Sequence, residues 1–462
     1  MNSKFKLHFL GAAECVTGSR FLLETPAGRV LIDCGQFQGL KSLRLRNRES
    51  FGSDVTQIDA VFLTHGHLDH CGWLPVLVRE GFKGKIYGSE PTLAVATLIL
   101  RDSAKIQEEE ADAANQGGWS RHQPALPLFD SAEAEHCLQH FQSIETHQWH
   151  ELLPGLKVRW RPIAHILGAC FIEIDCAGKR LVFSGDVGRS DDLLLAAPEK
   201  PEKADLLLLE STYGNRLHPE RSPLEQLQEV VFNTLERGGS LLIPGFAVER
   251  MQTLLWLFQQ LRLKKHFPRV PIVFDSPMAK NMLSLFQRFP QWHCLDSDTL
   301  GSLTSHVHIV EKALDSQVWA AYKRPRIVLA GSGMLNGGRI LNYLWNELGN
   351  PDTTILLTGY QADGTRGRLL QEGAKEIKMN GHFLYVKAQI ETLEGMSSHA
   401  DCRGLIDWLS ELKSAPEHMF LVHGEPDASQ GLQDKIQQHR GWNAQIAHYQ
   451  ESVSLFEPRD QD

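Results

Sequence analysis

The sequence predicts an α/β protein of two or three domains. Three observations lead there. The chain has 462 residues, too many for one ordinary core. The segments flanking its first histidine cluster read as short strands. From Ala204 to Leu357, apolar strands alternate with amphipathic helices, the pattern of a parallel doubly wound sheet.

Phe5 to Leu10 alternates and reads as a first strand. Arg20–Glu24 and Arg29–Asp33, joined by a turn at Pro26-Ala27-Gly28, read as a hairpin. Lys41, Arg44, Arg46 and Arg48 follow; such a charge run is either a solvated segment or a rim facing a polyanion. Ile58–Leu63 reads as a buried strand, 72–79 as a helix and Lys85–Tyr87 as a strand. A long helical pattern runs from Thr92 to about Asn115 and stops near Gly117-Gly118; a second helix is expected over Ser131–Ser143. Strands return at Lys157–Arg161, Cys170–Asp175, Arg180–Phe183 and Ala204–Glu210.

The middle block then gives helices at about 223–237, 248–262, 278–287 and 338–348, and strands at 240–243, 270–274, 306–310, 326–330 and 353–357. Two of its strand-to-helix turns are rich in glycine: Pro244–Arg250 and Gly331–Arg339. Bare N–H groups at a helix start can hold a phosphate, so Ser332 and Gly333 are candidate substrate contacts, and plain turn geometry is the other reading. Neither turn carries a Walker or dinucleotide fingerprint, which argues against a nucleotide cofactor. Beyond it, Asp401 or Ser398 is a plausible cap for one more helix, Met419–Val422 is a strand, and a strand over Ala444–Tyr449 is expected to close the chain.

Composition sets bounds. With 42% hydrophobic and 22% charged residues the chain is that of a soluble globular protein. No stretch reaches the roughly 18–20 apolar residues of a membrane span, so a cytoplasmic protein without membrane contact is expected. A net charge of −9 repels polyanions as a whole, so any nucleic-acid binding must come from a local basic cleft. None of the eight cysteines forms a C-x-x-C pair, against a thiolate zinc site or a disulfide framework; Cys34 and Cys71 are read as packing residues.

The chemistry concentrates in Thr64-His65-Gly66-His67-Leu68-Asp69-His70, where three imidazoles and a carboxylate follow a strand within six residues. Gly66 is expected to give the sharp turn that aims the flanking histidines inward. Clustered imidazole and carboxylate donors suit zinc, with manganese or iron the other ions such a set accepts. His165, Asp186 and His423 stand at further strand ends. Alone each is ordinary, since a histidine in an apolar stretch is usually a core residue and an Asp after a strand usually a turn residue. Together the seven exceed what one tetrahedral ion needs and fit two ions sharing a carboxylate, with a water or hydroxide between them. His399, beside an acid such as Glu210, fits a general acid for the leaving oxyanion.

The run His65-x-His67-x-Asp69-His70, with Asp33 before it and His165 and Asp186 after it, resembles the metallo-β-lactamase superfamily. Glu210-Ser211-Thr212-Tyr213-Gly214, Ser398-His399-Ala400-Asp401 and Val422-His423-Gly424 resemble the three further motifs of its β-CASP branch, nucleases related to the endonuclease of mRNA 3′-end formation. All seven motifs occur in order over essentially the whole chain. The resemblance implies an αβ/βα sandwich from residues 1–213 and 397–462, with a doubly wound α/β β-CASP domain, 214–396, inserted and capping the cleft. It implies that His65, His67 and His165 bind one Zn2+, that Asp69, His70 and His423 bind a second, and that Asp186 bridges. It places Asp33 behind a histidine and makes His399 the acid, oriented by Glu210; with Asp69 these carry the catalysis. Single-stranded RNA enters between the domains and is cut to leave a 5′-phosphate, internally or from the 5′ end. Histidine at 423 favours RNA, because DNA-repair members of the branch typically have valine there. The competing readings are a DNA nuclease, a thioesterase- or lactonase-type hydrolase on the same zinc core, and a non-catalytic RNA-binding subunit. A homodimer is compatible with all of them.

Overall fold

A computed structural model describes residues 5–118, 122–264, 267–362 and 364–456. The chain forms two compact units. One is built from the chain up to Gln38, from Ser42 to Leu217 and from His399 onward; the other comprises Gly39–Lys41 and His218–Ser398.

The first unit is a sandwich of two seven-stranded sheets. One sheet runs, edge to edge, Ser452–Leu455, Phe5–Phe9, Phe21–Thr25, Gly28–Ile32, Ala60–Phe62, Lys85–Ser89, Phe141–Ile144. The other runs Gln445–Ile446, His418–Val422, Leu206–Glu210, Lys179–Phe183, Cys170–Cys176, Leu156–Pro162, His150–Leu153. Each sheet is antiparallel on one side and parallel on the other. Ala60–Phe62 and Leu206–Leu209, each paired in parallel on both edges, are apolar and buried throughout because both faces are covered. The sheets meet through aromatic side chains: Phe9 lies 5.1 Å from Phe420 and Phe62 lies 5.5 Å from Trp160, ring to ring. The Trp160 indole N–H donates to the Leu63 carbonyl, which satisfies its one polar atom inside that core.

The parallel halves matter most for function. Parallel neighbours end at the same side, so the turns after Gly28–Ile32, Ala60–Phe62, Lys179–Phe183, Leu206–Glu210 and His418–Val422 gather together. Asp33 and His423 turn there in left-handed conformation, with φ +57° and +49°, and Ala164 does so just before His165, with φ +58°. Each such residue costs on the order of 1–3 kcal/mol and persists only where its surroundings fix it.

The second unit contains a six-stranded, wholly parallel sheet in the order His308–Ile309, Ile272–Asp275, Ile327–Ala330, Leu241–Pro244, Thr354–Leu357, Gln389–Thr392. Its four inner strands are fully buried. Pro277–Arg288 is the clearest amphipathic helix, with Ala279, Met282, Leu283 and Phe286 on its buried face. An antiparallel hairpin, Glu376–Met379 with His382–Tyr385, forms a small second sheet.

Three local expectations change. The helix from Ser131 ends at Leu138, and Phe141–Ile144 becomes an edge strand beside Lys85–Ser89. The His140 carbonyl accepts from Ile86 N–H and its ring bonds the Gly84 carbonyl, so sheet pairing overrides the helical pattern. The closing strand at Ala444–Tyr449 shrinks to Gln445–Ile446; Tyr449 leaves the sheet to lie under the Arg46 guanidinium, 3.9 Å from its ring, and Ser452–Leu455 closes the other sheet against Phe5–His8. Arg46 is therefore a packed member of the charge run. Gly66 serves close approach rather than a left-handed turn: a Cβ there would stand 2.8 Å from Val95 and 2.9 Å from the Ala96 nitrogen of the helix Glu90–Gly117.

Gly35 is tighter still. A Cβ there would lie 1.5 Å from the Asp69 carbonyl oxygen, where only backbone is available to move. Gly35→Ala is expected to cost at least about 1–3 kcal/mol, the usual range for overpacking, and to lower bound metal by displacing Asp69 and His70. Thermal unfolding together with metal analysis checks this; a variant with normal melting and metal content would show the loop to be compliant.

Candidate metal centre

Both sheets of the first unit supply this site. His65, His67, Asp69 and His70 come from the loop and short helix after Ala60–Phe62; the helix Leu68–Cys71 turns Asp69 and His70 inward. His165 comes from the loop after Leu156–Pro162, Asp186 follows Lys179–Phe183, Glu210 ends its strand, and His423 follows His418–Val422.

The donors fall into two groups. In the first, His65 Nε2 and His165 Nε2 stand 3.1 and 3.2 Å from His67 Nδ1, and 3.5 and 3.4 Å from Asp186 Oδ2. In the second, His70 Nε2 stands 3.4 Å from His423 Nε2, and Asp69 Oδ2 lies 3.3 Å from the same His423 nitrogen. Asp186 Oδ1 lies 3.3 Å from His70 Nε2 and 3.6 Å from His423 Nδ1. One oxygen of Asp186 therefore faces each group. Asp186 is 2% exposed, and its Oδ1 has no hydrogen-bond donor among the described residues.

Surrounding groups fix which nitrogen faces inward. Asp33 Oδ2 lies 2.8 Å from His70 Nδ1; a carboxylate only accepts, so Nδ1 carries the proton and the Nε2 lone pair faces the site. The Thr64 N–H and hydroxyl donate to the two oxygens of Asp33, and that hydroxyl also lies 3.0 Å from His65 Nδ1. The Thr212 hydroxyl lies 3.0 Å from His423 Nδ1. Sequence reading missed Thr64 and Thr212. The available signal was adjacency, since each lies within two residues of a named donor or acid.

Electrostatics agrees with this geometry. Burial pushes His67 down to about 4, against the pull of Asp69 and Asp186. Burial, reinforced by neighbouring imidazoles, holds His65 and His165 well below the ordinary histidine value. These three stay neutral and keep their lone pairs. Burial opposes charge on His70 as well, but Asp186 and Asp33 lift it well above the usual value. Burial would raise Asp186, yet His423 and His70 hold it well below the carboxylate range. The acids thus call for positive charge at this point.

Two metal ions fit the residues present. Ligand atoms about 2.0–2.1 Å from a tetrahedral zinc stand roughly 3.3 Å apart, close to the spacings found here. The neutral imidazoles of the first group turn lone pairs toward one focus, where a cation would offset their repulsion.

His399 stands beside this set. Its Nδ1 lies 3.0 Å from Glu210 Oε1 and its Nε2 lies 3.8 Å from Asp186 Oδ2. Glu210 is fully buried and accepts from the Val187 and Thr212 N–H groups, so its aim is set by backbone. Burial opposes charge on His399, but Glu210 and Asp186 carry it up to about 9. Ser332 and Gly333 lie in the second unit, after Ile327–Ala330. A Cβ on Gly333 would stand 2.8 Å from the Phe246 ring, and its carbonyl accepts from Gln361, so packing accounts for that glycine. Cys34 and Cys71 are buried free thiols; burial pushes Cys34 up to about 12 and Cys71 well above the ordinary value, so they do not act as thiolates.

A paired-sheet sandwich with two imidazole-carboxylate groups sharing one acid defines a metal-dependent hydrolase. Family models match three stretches: metallo-beta-lactamase superfamily at 14–133, Beta-Casp domain at 251–370, and Zn-dependent metallo-hydrolase RNA specificity domain at 384–447. Ribonuclease TTHA0252 of Thermus thermophilus is 36% identical over 454 residues, 96% of this chain and 99% of that protein. Transcription termination factor FttA of Methanocaldococcus jannaschii is 30% identical over 93% of this chain and 68% of its own length. A crystal structure of a protein of unknown function from Enterococcus faecalis superposes with TM-score 0.54 over 98% of this chain and 100% of that one, at 14% identity, a likeness of fold alone. The chain belongs to the metallo-β-lactamase superfamily, in its β-CASP branch of RNA-processing nucleases. No helix among the described residues is long and apolar enough to cross a membrane.

The shared acid separates two metal losses. His423→Ala is expected to leave about one ion per chain and Asp186→Asn fewer than one, against about two in the parent. Metal analysis of proteins purified without chelator checks the order; equal losses in both variants would show that the two groups do not bind independently.

Proposed function

We propose that the chain is a zinc-dependent ribonuclease that hydrolyses phosphodiester bonds in single-stranded RNA. The observation that carries this reading is the Asp186 carboxylate, which turns one oxygen to each donor group with His399 and Glu210 beside it. The donor set, five imidazoles and two carboxylates without thiolate, suits zinc. The stretch matching the RNA specificity domain carries both His399 and His423. A relative matched over 96% of this chain and 99% of its own length is named a ribonuclease.

When bound, the two ions supply Lewis acidity and a water that loses its proton near neutral pH. The chain's own residues do the rest. Asp33, Thr64 and Thr212 hold the histidine rings so that their lone pairs converge. Glu210 takes the Nδ1–H of His399 and leaves Nε2 aimed at the Asp186 side of the site. Protonated at neutral pH, His399 gives its Nε2 proton to the departing 3′ oxygen while the P–O bond breaks. The products are a 5′-phosphate and a free 3′-hydroxyl. Ser332 is proposed as a phosphate contact only from its place in the glycine-rich loop after Ile327–Ala330, since the next helix begins at Ile340. The proposed cut is internal, with removal from the 5′ end the second mode open to the same site.

His399→Ala is expected to slow turnover about a hundredfold or more while metal content stays near two ions per chain. Cleavage of end-labelled RNA with parallel metal analysis tests it, and loss of metal would reassign His399 as a ligand. A general acid must be protonated, so its rate falls as pH rises through its pKa. Glu210 is the first group lifting that pKa against burial. Glu210→Gln should therefore move the basic limb of the pH–rate profile to lower pH; an unmoved limb would separate Glu210 from the acid.

A further inference from the structure

The hairpin Glu376–Met379 and His382–Tyr385 has two unlike faces. Ile377 and Met379 turn into the core of the second unit and are 1% and 0% exposed, with Leu384 packed beside them. Strand alternation sends Glu376, Lys378, Phe383 and Tyr385 the other way. Phe383 is 63% exposed and Tyr385 71%. They sit two residues apart on one strand, roughly 6.6 Å along it, with both rings open to solvent. Lys378 is the cross-strand partner of Phe383, its ammonium 5.9 Å from the ring, and Glu376 is the partner of Tyr385. Lys375 and Lys387 flank the face, exposed. None of the three lysines has an acid within ion-pair distance among the described residues, so positive charge exceeds the single acid Glu376.

Open aromatic faces on a sheet with uncompensated lysines are the elements of a base-stacking platform: each ring takes one base, and the ammonium groups take the phosphates between. The apolar surface is too small for a stable protein interface. Two such side chains offer on the order of 300 Å², whereas a standard interface buries about 800 Å² per partner. We infer that this outer face, Phe383 and Tyr385 with Lys378, is an auxiliary site that stacks bases of single-stranded RNA. The inference rests on the ribonuclease reading and adds to it a contact outside the metal centre.

The test uses the full chain carrying His399→Ala, so that RNA persists, and reads the affinity of a fluorescent single-stranded RNA across a salt series. Adding Phe383→Ala and Tyr385→Ala is expected to weaken binding about tenfold or more without changing the salt slope, because stacking carries no counterion release. Adding Lys378→Ala instead should flatten the slope by about 0.7 for one phosphate contact. The swap Phe383→Tyr with Tyr385→Phe keeps both rings and should keep the affinity, which a folding defect would not. Ultraviolet cross-links should map to the peptide containing 382–385. Unchanged affinity in the double alanine variant, or cross-links confined to other peptides, overturns the platform. So does a shift from dimer to monomer with RNA affinity intact, which would make the face a contact between copies. A parent that binds no RNA at all defeats the ribonuclease reading itself, an outcome distinct from a parent that binds and a double variant that binds equally well.

Discussion

The structure depends on one electrostatic constraint: seven buried or half-buried donors, two of them acids, converge on a common region with no Lys or Arg side chain among them. Such an arrangement is repulsive by itself. Burial removes the water that would relieve it, and the histidines of the first group are held neutral by that burial. Cations at the two foci, or a proton on His70, offset the charge of the two acids. The rest of the first unit can be understood as what holds the donors in place against their repulsion. Asp33 and the two threonines fix ring orientation, and left-handed residues aim the chain at Asp33, Ala164 and His423.

Asp186 joins the two groups because it is deep and short. A carboxylate on one methylene cannot swing away, and its second oxygen has no other partner among the described residues. His399 differs from the other histidines in this respect. It leans on Glu210, which is anchored by two backbone N–H groups rather than by donors of either group. The site thus separates groups that surrender lone pairs from one that keeps protons. Burial drives His65, His67 and His165 down in pKa, and a buried acid drives His399 up.

Much of this was legible in the sequence where chemistry is local. The spacing from His65 to His70 placed four donors on one loop, and the alternation of apolar strands with helices marked the parallel sheet of the second unit. His165, Asp186 and His423, which no spacing rule connects to that loop, were legible only as donors at strand ends, and the resemblance of motifs supplied their roles. What stayed hidden was decided by distant partners. Phe141–Ile144 is a strand because Lys85–Ser89 has an open edge beside it. Gln389–Thr392 has a polar, half-open pattern and was not read as a strand, yet it pairs in register with Thr354–Leu357. Gly66 looked like a turn glycine and proved to be a contact with the helix Glu90–Gly117. The exposed aromatic pair at Phe383 and Tyr385 carries no signal until the hairpin shows which side faces out.

The pairing of Ser452–Leu455 with Phe5–His8 has a consequence for biosynthesis. Phe5–Phe9 keeps that edge unpaired until more than four hundred further residues have been made. The first donor group is complete once Asp186 has left the ribosome; the second is not complete until His423 has. The donors of the first group are therefore all synthesised before those of the second are complete. A chain made as far as Asp186 carries the residues of the first group but not yet His399, the histidine that Glu210 aims at that group.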